Sequence, residues 1–504
     1  MRKIISVLIL CSLFITALFV NISCGNSNSN TQNNSQNQAN ASDDGNADSQ
    51  ADTTSATLPP PDLPAINLGG ANFVILSSNW VNPASWDQKD IGADAENGDT
   101  INDAVYKRNS LTEQQFNCKI IDNQLDNSLI ESTIKKAVNA GDGSLDAVTI
   151  RLRSYGVLAP INDFVEFSRL KYNDLAKPWW DQNCVNDLSI DHKIFAVASD
   201  MTIMDKESTC AMIFNKKMQA DYGVEDLYKL VTDGKWTLDK MLELCKTVSS
   251  DLDGNGIMDD KDAYGILYQR DSMTSFLSGC GEFIGGKDDN DLPILTLNTP
   301  KALDVLNKLY DILYQDQYCF QVMRFFDKLG QDFTVGMDNM FENNQALFMW
   351  IRMNDVEGLR NMPADFGILP IPKYDETQTN YLQTVNPYVG VVTAVPQSAP
   401  SIDNSSAVLE YMSYQGKYIL QPAYYDIVLQ TKIARDQESE QMLNIIFENR
   451  AYDIGDVFDF GGLGSDVINM STTFDRDITS KIDKKQNTVQ KAIDKLVANI
   501  QAID

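Results

Sequence analysis

The sequence predicts an α/β fold divided into more than one domain. Three observations carry this. The chain has 504 residues, room for two or three domains at the usual domain size. Hydrophobic residues make up 43 % of it, enough to build packed cores. Short apolar runs alternate with segments of helical period, the pattern of parallel-type sheets covered on both faces.

The first residues are not part of that fold. Arg2 and Lys3 precede the charge-free stretch Ile4 to Val20, which reads as an export signal. An uncleaved membrane anchor is the alternative, although no basic stop-transfer cluster follows. Ser23-Cys24-Gly25 resembles the lipobox of bacterial lipoproteins, with Asn21 where that motif usually has Leu. The resemblance implies removal of residues 1–23, lipidation of Cys24 and a body held outside the membrane. Residues 24–65 then form a tether. Its Asn/Ser/Gln-rich part has almost nothing to bury and cannot offset its ordering entropy. Leu58-Pro59-Pro60-Pro61 stiffens the end, and the folded body is expected from Ile66.

The elements follow in order. Ala71 to Leu76 is a first strand after Gly69-Gly70. Ile101 to Phe116 and Leu129 to Ala140 are helices, and Asp146 to Ile150 is a second strand. Ile194 to Ala198 and Ala211 to Phe214 are two more strands. Thr237 caps a helix whose Leu238, Met241, Leu242, Cys245 and Val248 share a face. Thr299-Pro300 opens another, with Leu303, Leu306, Leu309 and Leu313 in register. Ala346 to Trp350, Phe366 to Leu369 and Tyr388 to Val395 are later strands. Val489, Ile493, Leu496, Val497, Ile500 and Ile503 mark a last helix.

Composition excludes several functions. With 41 Lys+Arg against 70 Asp+Glu, the net charge is −29, the wrong sign for a general nucleic-acid binder. The only histidine is His192, so no HExxH pair or two-histidine catalyst exists. His192 sits in the polar turn Ser189 to Lys193 and reads as a surface residue. Cys118, Cys184, Cys210, Cys245, Cys280 and Cys319 have no CxxC spacing and read as small buried hydrophobes. Gly281 to Lys287 has P-loop spacing, but Asp288 stands where a phosphate site needs Ser or Thr.

One motif carries explicit chemistry. Asp251, Asp253, Asn255, Asp259 and Asp262 fall at positions 1, 3, 5, 9 and 12 of an EF-hand-type loop. Gly256 is at the sharp turn, and Ile257 is placed to offer its carbonyl. A hard cation needs that many converging oxygens, so a structural Ca2+ is expected at 251–262, with a solvated acidic turn as the alternative. Asp262 in place of the usual Glu makes the loop resemble that of dockerins, although dockerins pair two copies and only one is present.

Further segments carry a resemblance over most of the body. They are Asn102 to Asn109, Pro178-Trp179-Trp180-Asp181, Lys193 to Ala196, Phe214-Asn215-Lys216 with Tyr222-Gly223-Val224 and Trp236-Thr237, Phe366 to Tyr374, and Val395 to Ala399. In this order they are similar to the extracellular solute-binding proteins of carbohydrate-type ABC importers, relatives of maltose-binding protein, in their Gram-positive form. The resemblance implies a two-lobe periplasmic-binding-protein-like fold of type II, with hinge crossovers and a ligand cleft between the lobes. Residues 66–205 and 386–425 would form lobe 1, and 206–385 lobe 2. Residues 426–504 would be a helical part, mainly on lobe 2. It further implies a lipid-anchored, monomeric, non-enzymatic protein that hands a sugar or oligosaccharide to a membrane permease after hinge closure.

Strand ends face such clefts. On that argument the ligand-binding residues are expected to be Trp80, Arg151, Arg153, Arg270, Asp271, Trp350 and Arg352. Trp179 and Trp180 are divided evenly between cleft and core, and Trp236 belongs to the core. Arg153, Arg270 and Arg352 each follow a proposed cleft strand, and guanidinium forks pair with carboxylates. An anionic group on the ligand, such as a uronic acid, would explain them; neighbouring carboxylates such as Asp271 would explain them equally well. A secreted calcium-containing glycoside hydrolase and a surface adhesion module are the alternative functions.

Overall fold

Phe73, Ile75 and Leu76 are fully buried in the first strand, Ala71–Asn79, which lies inside the first of the two larger sheets. The computed structural model describes residues 58–79, 87–430 and 437–503. Trp80 and Cys24, together with the signal and most of the tether, lie outside the described residues. Among the described residues no helix is long and apolar enough to cross a membrane.

The first sheet runs in the order 391–394, 147–151, 71–79, 118–126. Ala71–Asn79 pairs in parallel with Cys118–Asp126 over its whole length, and also with Ala147–Arg151. Asp99 opens the Thr100–Phe116 helix by accepting from the Asn102 amide. Asn117 closes that helix at φ 48° and turns the chain directly into Cys118–Asp126. That strand was not foreseen, because Lys119, Asp122, Asn123 and Gln124 give it the composition of a loop. It is the sheet's edge strand, and edges tolerate polar residues.

The second sheet runs 366–369, 210–215, 346–352, 264–268, 319–321. It is mixed. Tyr264–Tyr268 is parallel to both neighbours, while Cys210–Asn215 is antiparallel to both of its own. Val391–Ala394 is likewise antiparallel in the first sheet. Parallel-type sheets are what the sequence pattern suggests; each sheet here also contains antiparallel pairs. The physical reason is connectivity: Cys210–Asn215 and Val391–Ala394 are the first strands the chain forms after passing from one sheet to the other, and each enters reversed. The expected strand at 194–198 is corrected. Those residues are buried but make a single bridge, Val197 with Thr393.

The crossing segments lie side by side. Thr209 bridges Val385, the Asn386 amide donates to the Ser208 carbonyl at 3.0 Å, and the Met353 amide donates to the Thr209 carbonyl at 3.0 Å. Thr237 and Thr299 cap the helices Leu238–Val248 and Pro300–Leu313, as their spacing predicts. The long helix Ile402–Gln430 packs along Thr100–Phe116. There Gly416 allows the Asp200 backbone to approach: a Cβ on residue 416 would sit 2.0 Å from the Asp200 carbonyl oxygen. Gly416→Ala is expected to cost at least about 1–3 kcal/mol through overpacking, read as a lowered melting temperature.

The C-terminal part touches both lobes. Gln437–Glu448 packs on the Phe366–Leu369 strand, and Leu463–Thr473 packs on the helix Ser272–Gly279. Ile478–Gln501 also reaches residues 159–161 of the first lobe. The hairpin of Gly285–Lys287 and Pro293–Leu295 bridges the lobes as well. Lys287 Nζ donates to Ser189 Oγ at 2.8 Å, and the His192 amide donates to Asp291 Oδ2 at 2.8 Å. The imidazole of His192 itself is 81 % exposed, as its polar turn suggests.

Candidate functional site

The segments that follow the strands 71–79 and 346–352 meet beside the first crossing segment. They leave a polar cavity of about 920 Å3 between the lobes. The first lobe lines it with Asp87, Gln88 and Lys89 beyond the first strand, and with Asp122 and Gln124 of the second. Ile203 and Glu207 enter from the first crossing. Asn354, Gly358 and Asn361 face it from the segment that follows Ala346–Arg352, and Tyr424 and Ile427 from the long helix.

Two buried groups on opposite walls stand out. Gln88 is 1 % exposed, and its Nε2 makes no hydrogen bond of ordinary geometry among the described residues, touching Asp90 only loosely. Its Oε1 is occupied by Thr149 Oγ1 at 2.9 Å. Across the cavity Asn354 Oδ1 is likewise buried without a partner. Amide side chains thus stand on both walls of the cavity. An amide side chain both donates and accepts, as a hydroxyl does.

The residues expected from sequence are placed differently. Arg151 ends its strand and donates from Nη1 to the Tyr388 carbonyl at 3.2 Å; burial lowers its pKa to about 10. Arg153 donates to the Asp456 carbonyl, lies 3.4 Å from Asp459 Oδ1, and stacks 5.2 Å from the Tyr388 ring centroid. Arg270 pairs with Asp271 at 3.5 Å. Arg352, 4 % exposed, holds Asp355 in a fork, Nε to Oδ2 and Nη2 to Oδ1, each at 3.1 Å. Of the two explanations for these arginines, the structure supplies the second: each of the three has a carboxylate of this chain beside it. Arg153 and Asp271 come together around a narrow pocket of about 10 Å3 that Asp271, Thr274, Asn386, Tyr388 and Asp456 line. None of the expected arginines lines the larger cavity.

Trp350 requires correction. It is fully buried inside Ala346–Arg352, where both sheet faces are covered, and so offers no open ring face for stacking. Trp179 and Trp180 resolve to the core. Each is 1 % exposed, and their indole nitrogens donate to the two oxygens of Glu410 at 3.0 and 2.9 Å. Trp236 is fully buried and donates to the Pro370 carbonyl at 2.8 Å.

In the 251–262 loop, carboxylate oxygens of Asp251, Asp253 and Asp262 lie within 4.8 Å of one another. Gly254 and Gly256 adopt φ of 70° and 78°, left-handed values that favour glycine. The loop amides fold inward: Gly254 and Gly256 donate to Asp251, and Leu252 and Asp259 donate to the buried Asp262. Asn255 accepts from the Ile257 amide at 2.7 Å, and Asp259 accepts from Lys261 at 2.9 Å. The three clustered carboxylates suit a hard cation; the Asp259 carboxylate is not part of that cluster.

No protein-family model matches the sequence, and no curated protein is similar to it. Solved structures are similar in fold. UspC of M. tuberculosis is 14 % identical with a TM-score of 0.54, over 85 % of this chain and all of that one. A cyclo/maltodextrin-binding protein complexed with maltotetraose is 12 % identical with a TM-score of 0.53, over 86 % and 98 %. An ABC substrate-binding protein from Listeria monocytogenes in complex with cycloalternan is 13 % identical with a TM-score of 0.51, over 86 % and 98 %. The chain has their two-lobe type II fold.

Proposed function

We propose that this protein is the solute-binding component of an ABC importer, capturing a sugar or oligosaccharide between its lobes and passing it on unchanged. The observation that carries the reading is the large, polar interlobe cavity with amide side chains on both walls, Gln88 on one and Asn354 on the other. Amides from Asn102, Gln124 and Asn361 add further donors and acceptors around it, the chemistry that reads hydroxyl patterns. Maltotetraose and cycloalternan, bound in two of the similar structures, are saccharides and support the same class. On this reading Cys24 carries a lipid, residues 24–65 tether a monomeric body to the outer face of the membrane, and a permease receives the ligand.

Thermal-shift screening against a saccharide library tests it. A saccharide that binds the native form at one hundred times its Kd adds about 2.7 kcal/mol of stability, and small-angle scattering should show the lobes drawing together. Chromogenic glycoside turnover without a stable complex would instead favour a hydrolase.

The 251–262 loop is proposed to hold a structural Ca2+ through Asp251, Asp253, Asn255, the Ile257 carbonyl and Asp262, with Asp259 joining by rotation or through water. Chelation is expected to lower the melting temperature. Asp253→Asn, at an exposed position, should weaken calcium binding on the order of tenfold or more. Calorimetry reads both.

A further inference from the structure

We propose that the 285–295 hairpin is a releasable clasp. It holds the lobes at the angle that leaves the cleft open, and closure requires it to let go. The inference uses the two-lobe fold alone and does not depend on the saccharide reading.

The hairpin of Gly285–Lys287 and Pro293–Leu295 belongs to lobe 2, yet its tip engages the lobe 1 turn at 189–193. Asp291 is the hub, with a side chain only 13 % exposed. Its Oδ1 accepts from Ser189 Oγ at 3.0 Å and from Lys287 Nζ at 2.5 Å. Its Oδ2 accepts from the His192 amide at 2.8 Å, and its carbonyl accepts from the Asp191 amide at 3.0 Å. Lys287 Nζ also donates across the lobes, to Ser189 Oγ at 2.8 Å and to the Asn186 carbonyl. At the base of the hairpin, Asp453 accepts from the Ile284 and Gly285 amides at 2.7 and 3.1 Å. The tip therefore cannot follow lobe 1 by swinging freely from lobe 2.

The backbone at the contact is strained. Asp191, His192 and Asp291 adopt left-handed φ of 53°, 61° and 61°. Residues other than glycine hold such values where their surroundings over-determine them, and this strain gathers at switch regions. None of the clasp residues lines the 920 Å3 cavity. Val197 bridges Thr393, which places the segment after the turn along the 391–394 edge of the first sheet. Asp122 and Gln124 line the cavity from the 118–126 strand at the opposite edge. Hinge closure turns one lobe against the other about the crossing segments. Hydrogen bonds weaken steeply once their distance and angle are lost, so a turn that narrows the cavity breaks the bonds that Asp291 and Lys287 make across the lobes.

Hydrogen exchange and small-angle scattering of the ligand-free protein decide. In Asp291→Ala the His192 amide is expected to exchange about tenfold or more faster. The radius of gyration should fall as the freed lobes reach narrower cleft angles. Lys287→Met removes the ammonium but keeps the Asp291 hub, and should move both readouts the same way by less. Should Asp291→Ala fail to fold, Lys287→Met carries the test. Faster exchange with unchanged scattering would make the hairpin a local brace and overturn the clasp. Unchanged exchange would overturn it as well.

Discussion

Replacing Arg450 by methionine is expected to destabilise the protein by about 3–5 kcal/mol, the usual consequence of stripping one partner from a buried ionic cluster. Arg450 lies in the short strand Arg450–Ala451, which pairs with Gln383–Thr384 in the crossover back to the first lobe. Its Nε donates to Asp181 Oδ2 at 3.1 Å, and its Nη2 lies 3.3 Å from Asp205 Oδ2. The Tyr452 hydroxyl donates to the same Asp181 oxygen at 3.0 Å. Asp181 belongs to the first lobe, and Asp205 sits in the first crossing, so one guanidinium ties three separate parts of the chain together at the hinge. Burial alone would lower the Arg450 pKa and raise that of Asp181. Instead Asp181 and Asp205 hold Arg450 well above its ordinary value, and Arg450 holds Asp181 below its own. Without the guanidinium, Asp181 loses its ion-pair partner in a dry site, and Asp205 keeps only Lys206, 3.5 Å away. Urea unfolding of Arg450→Met checks the magnitude, and Arg450→Lys, which keeps the charge but loses the fork, should fall between it and the unaltered protein.

The second large effect is in pH. Burial raises Asp90, Asp187 and Asp453 to about 6. Asp456 rises to about 7 through burial and the neighbouring Asp453. Asp338 also rises to about 7, through burial and the charges of Asp355, Glu342 and Asp332. Unfolded, these carboxyls return to ordinary values near 3.8. Between those limits the folded state holds more protons than the unfolded state, so stability falls as pH rises through the window from about 4 to about 7. The melting temperature is therefore expected to be higher at pH 5.5 than at pH 8. Asp181 works in the opposite sense. Its folded pKa is depressed, so its contribution is complete above the ordinary carboxylate value and is lost as pH falls below it. Stability should thus peak on the mildly acidic side and decline again toward pH 3. A melting temperature that climbs steadily from pH 5.5 to pH 8 would contradict the assignment.

The sheets were legible where local pattern and burial agree. Val148 and Ile150, Ile213 and Phe214, and Phe348 and Met349 are apolar runs that both faces of a sheet bury, and Thr237 and Thr299 cap helices through their own hydroxyls. The 118–126 strand escaped because its side chains match a solvent-facing edge and its pairing comes from the Ala71–Asn79 neighbour. The cleft was legible only as a rule about strand ends. Arg153, Arg270 and Arg352 do lie at such ends, but the partners that engage Arg153, Asp456 and Asp459, stand some three hundred residues away. Trp350 illustrates the same boundary: nothing local distinguishes a strand's cleft end from its covered middle.

By itself, the sequence determined the α/β class, the acidic surface, the loop at 251–262 and the limits on catalysis, because each depends on residue type and short spacing. Tertiary structure alone decided which polar groups meet. Gln88 and Asn354 share a cavity, two tryptophans converge on Glu410, and Arg450 gathers Asp181 and Asp205. Charge and hydrogen bonding act over a few ångströms in space, and only the path of the folded backbone sets those distances.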